Sequence, residues 1–149
     1  RRTDAELADL RRAVTWPGRR DDIASVLAAS DLFVLPTAYR EGVPRVLLEA
    51  AAMGLPLVAT DSPGCNEIVV DRSNGRLVPV GDVAALTVAI RELVAQPELR
   101  QRYGAASRRR VVNSFDLRVI AGQVHDVYQR LLQRRDPRLK TPAPARGRR

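Results

Sequence analysis

The sequence predicts an α/β protein built on a parallel sheet with helices on both faces. Two observations indicate this fold class. Short apolar runs alternate along the chain with segments whose apolar residues recur at helical spacing. The short runs are apolar at successive positions, which is typical of parallel strands buried on both faces. The chain has 149 residues, 45% of them hydrophobic, which suffices for one domain with its own core.

The first two helices are predicted from their N-terminal signals. Thr3 and Glu6 have the spacing of a capping box, which favours a short helix over residues 4–13. Asp21 or Asp22 is expected to cap the next helix. The residues expected to face inward from that second helix are Ile23, Val26, Leu27 and Ser30.

Two buried strands are predicted over residues 32–35 and 57–60, and a short third strand over residues 76–79. A helix is predicted between the first two strands, over residues 45–53, and Gly54 is expected to end it. Parallel sheets bind ligands at the carboxyl ends of their strands, where loops lead into helix N-termini. Functional residues are therefore expected directly after the first and second strands.

The C-terminal half is predicted to be mainly helical. A single helical turn is expected over residues 67–70. Asp82 is expected to cap a helix that ends near Ala95, and Pro97 to start another. The last helix is predicted over residues 117–133. Its apolar stripe is expected to comprise Leu117, Ile120, Val124, Val127 or Tyr128, and Leu131.

The positive charge is concentrated at the C-terminal end. Lys and Arg outnumber Asp and Glu by 25 to 17, a net charge of +8. Residues 134–149 carry +6 of this charge, and they contain several prolines and almost no large apolar side chain. Such a segment cannot offset the entropy of ordering. We therefore expect a folded body over residues 1–133 and a disordered basic tail over residues 134–149.

The helix after the first strand has an unusual composition. From Val46 to Met53 every residue is apolar except Glu49, so this helix is expected to be buried on nearly every face. A buried carboxylate is costly unless something binds it. Glu49 is thus a candidate ligand-binding residue. Two alternatives remain: it pairs with a nearby Arg, or it marks a narrow strip that faces solvent.

The entrance to the same helix suits an anion. Residues 41–44 form a glycine-containing loop, and Pro44 is suited to the first helical position. The amides of residues 45–47 would then lack intrahelical partners, next to the positive end of the helix dipole. With the carboxylates of Glu41 and Glu49, this arrangement favours a ligand that has hydroxyls and phosphates, such as a nucleotide sugar.

The stretch E-G-V-P-R-V-L-L-E-A-A-A-M-G, with Glu41 and Glu49 in an E-x7-E spacing, resembles the signature of glycosyltransferase family 4. The flanking stretches W-P-G-R-R and D-S-P-G-C-N-E-I-V-V-D-R-S-N-G-R-L-V-P resemble that family's pattern too, so that residues 16–115 follow it in order. The resemblance implies the Rossmann-like C-terminal, donor-binding half of a GT-B fold, truncated at its N-terminal side.

The resemblance also implies roles for single residues. Glu49 would bind the ribose hydroxyls of the donor. Glu41 would be the catalytic residue, holding hydroxyls of the transferred sugar and stabilising positive charge at the reacting carbon. Backbone amides near Val43 would bind the diphosphate, and Gly18 with Arg19 would lie near the base. The implied donor-binding set is Gly18, Arg19, Glu41, Gly42, Val43, Pro44, Arg45, Val46 and Glu49.

Such enzymes retain the anomeric configuration and need no metal or other cofactor, and this chain lacks a D-x-D pair. The expected partners are a nucleotide sugar, with UDP preferred, and an N-terminal acceptor domain; no specific nucleic acid is expected. The resemblance favours bacterial surface polysaccharide or lipid-linked oligosaccharide synthesis. We expect a cytoplasmic location, with peripheral contact between the tail and an anionic membrane.

Two departures from the family pattern bear on activity. Pro44 stands where the family often has Gly, which removes one amide donor. The family's Arg and Lys that bind the diphosphate, and its acceptor domain, would precede Arg1. We therefore expect these residues alone not to transfer sugar. Two rival functions remain. One is a non-catalytic nucleotide-binding or regulatory module, and the other is binding to an anionic surface through the basic tail.

Other candidate residues have simpler interpretations. Cys65, the single cysteine, excludes an internal disulfide and is an improbable nucleophile because the only histidine, His125, lies on the last helix. Glu67 is interpreted as a helix cap, with donor contact as the alternative. Residues 108–110, three successive arginines, are interpreted as a solvated helix face.

Because the basic tail cannot bury a core, it is predicted to be dispensable for folding. Deleting residues 136–149 should leave the thermal unfolding midpoint nearly unchanged. Differential scanning calorimetry of the two chains tests this, and a fall of more than a few degrees would mean that the tail packs on the body.

Overall fold

Strands and helices alternate along the chain in the computed structural model, which describes residues 13–39 and 42–135. The helix predicted over residues 4–13, apart from its last residue, and the tail from residue 136 onward lie outside the described residues. In chain order the elements are α1 (Ile23–Ala28), β1 (Phe33–Leu35), α2 (Arg45–Ala52), β2 (Leu57–Thr60), α3 (Cys65–Ile68), β3 (Gly75–Val78), α4 (Val83–Ala95), α5 (Pro97–Ser114) and α6 (Leu117–Arg135).

The strands form one parallel sheet in the order β1-β2-β3. Leu57 of β2 lies opposite Phe33 of β1 on one side and Gly75 of β3 on the other. Every residue of β2 is buried, as predicted. The prediction that β1 is fully buried was wrong: its residues are half-buried, because β1 is an edge strand of the sheet that the structure describes.

Helices cover both faces of the sheet, which confirms the predicted fold class. Leu57 and Ala59 of β2 pack on one side against α2 and α3, and Val58 packs on the other side against α4. Helix α5 serves both layers, since Val111 joins the first cluster and Tyr103 the second. This alternation along β2 is the pattern expected of a strand buried on both faces.

Helix α5 approaches the end of α2 backbone to backbone. A Cβ placed on Gly104 would lie 2.0 Å from the carbonyl oxygen of Gly54, which is far inside contact distance. One turn further on, Ser107 is fully buried and its hydroxyl donates to the carbonyl oxygen of Asn74 at 2.9 Å. Only glycine at position 104 allows this separation between α5 and the turn that follows α2.

The arginines of α5 were predicted to form a solvated face, which is confirmed for Arg108 and Arg109, both exposed, and wrong for Arg110, which is half-buried. Arg108 donates from Nη1 to the carbonyl oxygen of Ala52, and Arg110 donates from Nη2 to that of Glu67 at 2.8 Å. Arg109, which lies between them in sequence, is exposed as well. Both carbonyls lie in the last turns of helices, α2 and α3, where acceptors lack intrahelical donors.

Helix α4 is bonded at both ends. The carboxylate of Asp82 accepts from the amide of Ala85 at 2.8 Å, which confirms the predicted cap. At the other end, Arg100 of α5 donates from Nη1 to the carbonyl oxygens of Leu93 and Val94, each at 2.8 Å. Arginines of α5 thus donate hydrogen bonds to carbonyls at the C-terminal ends of three helices, α2, α3 and α4.

Helix α1 differs from its prediction. Asp22 occupies the N-cap position but makes no cap, because its carboxylate accepts from Nε of Arg20 at 2.7 Å. This hydrogen bond lowers the pKa of Asp22. Of the side chains predicted to face inward, only Leu27 is buried; Ile23 and Val26 are exposed. Ile23 lines the groove described below.

The predicted apolar stripe of α6 exists, but nothing in the described structure covers it. Its exposed members are Leu117, Ile120, Val124, Val127, Tyr128 and Leu131. The helix carries too many polar residues to cross a membrane, and the same holds for every other helix within the described ranges.

The Gly104 contact predicts a sharp position dependence of glycine substitution. Gly104→Ala should lower the free energy of unfolding by about 1–3 kcal/mol, because the new methyl group forces α5 away from Gly54. Gly122→Ala in α6 is the matched control, since its Cβ would meet nothing within 4 Å. Urea denaturation should show the control unchanged or more stable, by up to ~1 kcal/mol. Equal effects of the two substitutions would contradict the close contact.

Candidate functional site

Helix α2 ends in a turn that satisfies most of its last carbonyls. Gly54 adopts a φ of +77°, a left-handed conformation that glycine adopts without strain. The amide of Gly54 donates to the carbonyl oxygen of Ala51 at 3.0 Å, and that of Leu55 to Ala50 at 3.1 Å. This pair of bonds is a Schellman motif. The helix therefore ends where the sequence predicted.

Helix α2 begins at Arg45, as predicted, but the expected place of Pro44 at the first helical position was wrong. Pro44 occupies the N-cap and not the first helical position, and its carbonyl oxygen accepts from the amides of Leu47 at 3.1 Å and Leu48 at 3.3 Å. The prediction of an available amide at Leu47 was therefore wrong. The amides of Arg45 and Val46 occupy the first helical positions, which have no intrahelical acceptor. They carry the positive end of the helix dipole.

Glu49 is not the buried carboxylate that was predicted. Its side chain is 37% exposed, and Oε1 accepts from Nε of Arg45 at 2.8 Å, one helical turn away. The helix faces the core through Leu47, Ala50 and Ala51, so the side that carries Glu49 is left open. Of the alternatives considered for Glu49, pairing with an arginine on a solvent-facing strip is the one observed.

Glu49 lies in the wall of a groove between α1 and α2. The groove has a volume of about 440 Å³. Its lining comprises Asp21, Ile23, Ala24, Leu27, Arg45, Glu49, Ala52 and Met53. One wall is thus mainly apolar, and the other carries a carboxylate and a guanidinium. A flat ring fits against the apolar wall while hydroxyls or phosphates bind the charged groups.

Most of the groove's apolar lining was not identified from the sequence. Ile23 was taken as a core residue, and Met53 as the end of a buried helix. One indication of their exposure was available in the sequence: both residues lie at the ends of short helices, where side chains are more often exposed than in the middle of a helix. Their exposed fractions, 39% and 42%, are large for apolar side chains.

Gly18 and Arg19 lie beside this groove. Gly18 adopts a φ of +71°, and the Arg19 guanidinium is 3.6 Å from the carboxylate of Asp21, which lines the groove. The Arg19 side chain is almost fully exposed. Glu41, the predicted catalytic residue, lies outside the described residues.

Gly42 and Val43 of the predicted set are exposed next to the start of α2, and Pro44 is buried. The structure therefore brings together Arg45, Val46 and Glu49 on one helix, with the loop residues at its N-terminus. The donor-binding role of each of these residues stays a prediction.

The remaining candidates do not form a second site. Cys65 is fully buried in the core, and His125 is exposed on α6, so they do not act as a nucleophile and base. Glu67 caps nothing: the N-cap of α3 is Gly64, without a side-chain bond, and the cap interpretation was wrong. Among the residues that the structure describes, no three His, Cys, Asp or Glu side chains are grouped to hold a metal ion.

Solved structures share this fold. Sucrose-phosphate synthase from Thermosynechococcus elongatus matches with a TM-score of 0.76 at 32% identity, over 86% of this chain and 32% of that chain. HepE from Anabaena, in complex with UDP, matches with a TM-score of 0.77 at 26% identity, over 83% of this chain and 34% of that chain. The chain has the α/β fold, with a parallel sheet and flanking helices, of the GT-B glycosyltransferases.

The sequence places the chain in one family. The profile of the family described as Glycosyl transferases group 1 matches residues 2–110. An alpha-maltose-1-phosphate synthase from Mycobacterium tuberculosis is 37% identical over 136 residues, 85% of this chain and 35% of the synthase. A phosphatidyl-myo-inositol mannosyltransferase from Mycobacterium leprae is 37% identical over 118 residues, 78% of this chain and 31% of that enzyme.

The chain therefore belongs to the group 1 family of glycosyl transferases. It spans about a third of the length of the curated relatives that it matches.

The exposure of the Glu49–Arg45 pair predicts a small effect on stability. Glu49→Gln should change the free energy of unfolding by less than about 1 kcal/mol, because exposed pairs at this spacing contribute ~0.3–0.5 kcal/mol. Urea denaturation followed by circular dichroism measures the change, with Glu98→Gln, on the exposed start of α5, as the control. A gain or loss of more than about 2 kcal/mol would indicate that the carboxylate is buried after all.

Proposed function

We propose that this chain binds a nucleotide-diphosphate sugar and that, in the full-length enzyme, the sugar is transferred to an acceptor with retention of configuration. One observation carries the proposal. In a chain of the group 1 glycosyl transferases, Glu49 lies in the wall of an open groove on the helix whose N-terminus follows the loop after β1. That location combines an acceptor for hydroxyls with donors for phosphate.

Glu49 is suited to a ribose. An ionised carboxylate accepts hydrogen bonds only, and a vicinal diol offers two O–H donors. The half-exposed Glu49 carboxylate retains free acceptor sites beside its bond to Arg45. The base would then lie against the apolar side of the groove, formed in part by Ile23 and Met53.

The start of α2 is suited to the diphosphate. The amides of Arg45 and Val46 occupy the first helical positions, where anions are favoured. The Arg45 side chain is 91% exposed and long enough to exchange Glu49 for a phosphate oxygen, which a guanidinium binds in a planar fork. Glu41 remains the proposed catalytic residue, in the loop that leads into this helix.

We favour UDP as the nucleotide and a surface polysaccharide or lipid-linked oligosaccharide as the product. HepE from Anabaena was solved with UDP, and with UDP and glucose. Relatives include a lipopolysaccharide core biosynthesis glycosyltransferase from Rhizobium meliloti, 34% identical, and a capsular polysaccharide biosynthesis glycosyltransferase from Staphylococcus aureus, 33% identical. Their names support the product class.

The proposed reaction uses no metal or other cofactor, and it takes place on the cytoplasmic side of a membrane. The C-terminal residues 134–149, with a net charge of +6, would contact the anionic lipid surface. An acceptor-binding domain completes the enzyme.

UDP titration tests the site. We expect the 149-residue chain to bind UDP weakly and Glu49→Gln to weaken this binding about tenfold, because a hydrogen bond to a charged group is worth ~1.5–3 kcal/mol. Isothermal titration calorimetry measures the affinities. Glu98→Gln, which makes the same charge change on α5, should bind UDP like the unmodified chain. Equal UDP affinity of Glu49→Gln and Glu98→Gln would remove the proposed ribose-binding role.

A polypeptide of these residues alone is predicted not to transfer sugar. Transfer requires donor and acceptor in one geometry, and well-oriented reactions reach effective molarities of ~10⁵ M or more that are lost when one binding site is absent. Release of UDP from UDP-sugars in the presence of sugar acceptors measures the activity. Turnover at about 1 per second, as in complete enzymes, would contradict this; UDP binding without turnover in any longer form would favour a regulatory module.

A further inference from the structure

One carbonyl at the end of α2 is left over by its own turn. The Schellman motif engages the carbonyl oxygens of Ala50 and Ala51, and the amide of Met53 donates to Glu49. The carbonyl oxygen of Ala52 receives no bond from this turn. It accepts instead from Nη1 of Arg108 on α5, and the positive guanidinium lies at the negative end of the helix dipole.

A second contact lies beside this bond. Gly104 and Arg108 are one helical turn apart on α5, and both meet the end of α2: Gly104 packs on the backbone of Gly54, and Arg108 bonds to Ala52. The Gly104 contact fixes the distance between α5 and the end of α2. The Arg108 hydrogen bond fixes the orientation of α2 relative to α5. The C-terminal end of α2 is therefore held to α5 at two points.

The N-terminal end of α2 packs on the core through Pro44 and Leu47, which are buried, but no hydrogen bond from another element reaches it within the described residues. Gly42 and Val43 are exposed, and Arg45 is exposed as well. The helix has 8 residues, about 12 Å at 1.5 Å per residue, and its core contacts come from one side only. A tilt of about 10° at the held end would move the first amides by about 2 Å, whereas a hydrogen bond tolerates a few tenths of an ångström.

We propose that Arg108 is a positioning residue for donor binding: by holding the C-terminal carbonyl of Ala52, it aims the N-terminal amides of α2 at the diphosphate. Arg108 does not line the groove. It acts through the helix axis, at the opposite end of α2 from the proposed diphosphate site. This inference rests on the proposed function, because the ligand at the start of α2 is the one proposed above.

Three variants separate positioning from simple stabilisation. Arg108→Gln removes the cation and shortens the reach to Ala52, Arg108→Lys keeps a charge that can still donate, and Arg109→Gln makes the same change on the neighbouring exposed arginine. Two measurements are made on the 149-residue chain. Amide NMR shifts of residues 45–47 report the helix start without ligand, and calorimetry compares UDP with uridine, which lacks the diphosphate.

We expect Arg108→Gln to shift those amide signals and to weaken UDP binding about 3- to 10-fold, with uridine binding changed less than about 2-fold. Arg108→Lys should recover part of the UDP affinity, and Arg109→Gln should match the unmodified chain in both measurements. Should Arg108→Gln fail to fold, the comparison of Arg108→Lys with Arg109→Gln decides, because the shorter ammonium should still displace the amide signals.

Unshifted amide signals in the Arg108 variants would overturn the inference, whatever the ligand result. Equal losses of UDP and uridine affinity would overturn it too, because they would reflect general loosening of the fold. If the unmodified chain bound no UDP, or if Glu49→Gln bound it normally, the proposed function would fail and the role of Arg108 in donor binding with it. Normal UDP binding by Arg108→Gln, with weakened binding by Glu49→Gln, would refute the positioning role alone.

Discussion

The contact between Gly104 and the turn at Gly54 is the constraint on which the rest of the structure depends. It lets α5 lie within backbone distance of the end of α2, and only at that distance can the side chains of α5 reach the elements on either side. The hydroxyl of Ser107 on α5 donates to the carbonyl oxygen of Asn74, the residue before β3. The apolar side chains of α5 enter both core layers. One helix thereby ties together the layers above and below a sheet of three short strands.

The same helix explains why α2 differs at its two ends. Its C-terminal carbonyls are satisfied by the Schellman turn and by Arg108, whereas its first two amides have no intrahelical acceptor. Under the proposed function, a helix fixed at one end and unsatisfied at the other would be a pre-organised anion site, because the donors need no rearrangement to meet a ligand. The pair of Arg45 and Glu49 adds a cation and a carboxylate. In the proposed complex, Arg45 would bind a phosphate oxygen and Glu49 the ribose hydroxyls.

Most of the fold could be predicted because its signals are local. Strand β2 follows from a short apolar run, the start of α4 from Asp82, and the end of α2 from Gly54, each through bonds within a few residues. The errors were non-local. Arg108 bonds to a carbonyl 56 residues away in sequence, and no periodicity reports such a partner. Glu49 looked buried because composition gives the polarity of a helix but not how many of its sides other elements cover.

The candidate site residues could be named from the sequence, whereas the shape of the groove could not. The spacing of the carboxylates and the start of the helix are readable from the sequence, whereas the groove requires the packing of α1 against α2. An experimental structure of the chain with UDP is therefore the most direct test. The account predicts ribose hydroxyls within hydrogen-bonding distance of Glu49 and diphosphate oxygens on the amides of Arg45 and Val46. UDP bound elsewhere, for instance at the pocket beside Thr60 and Asp82, would contradict it.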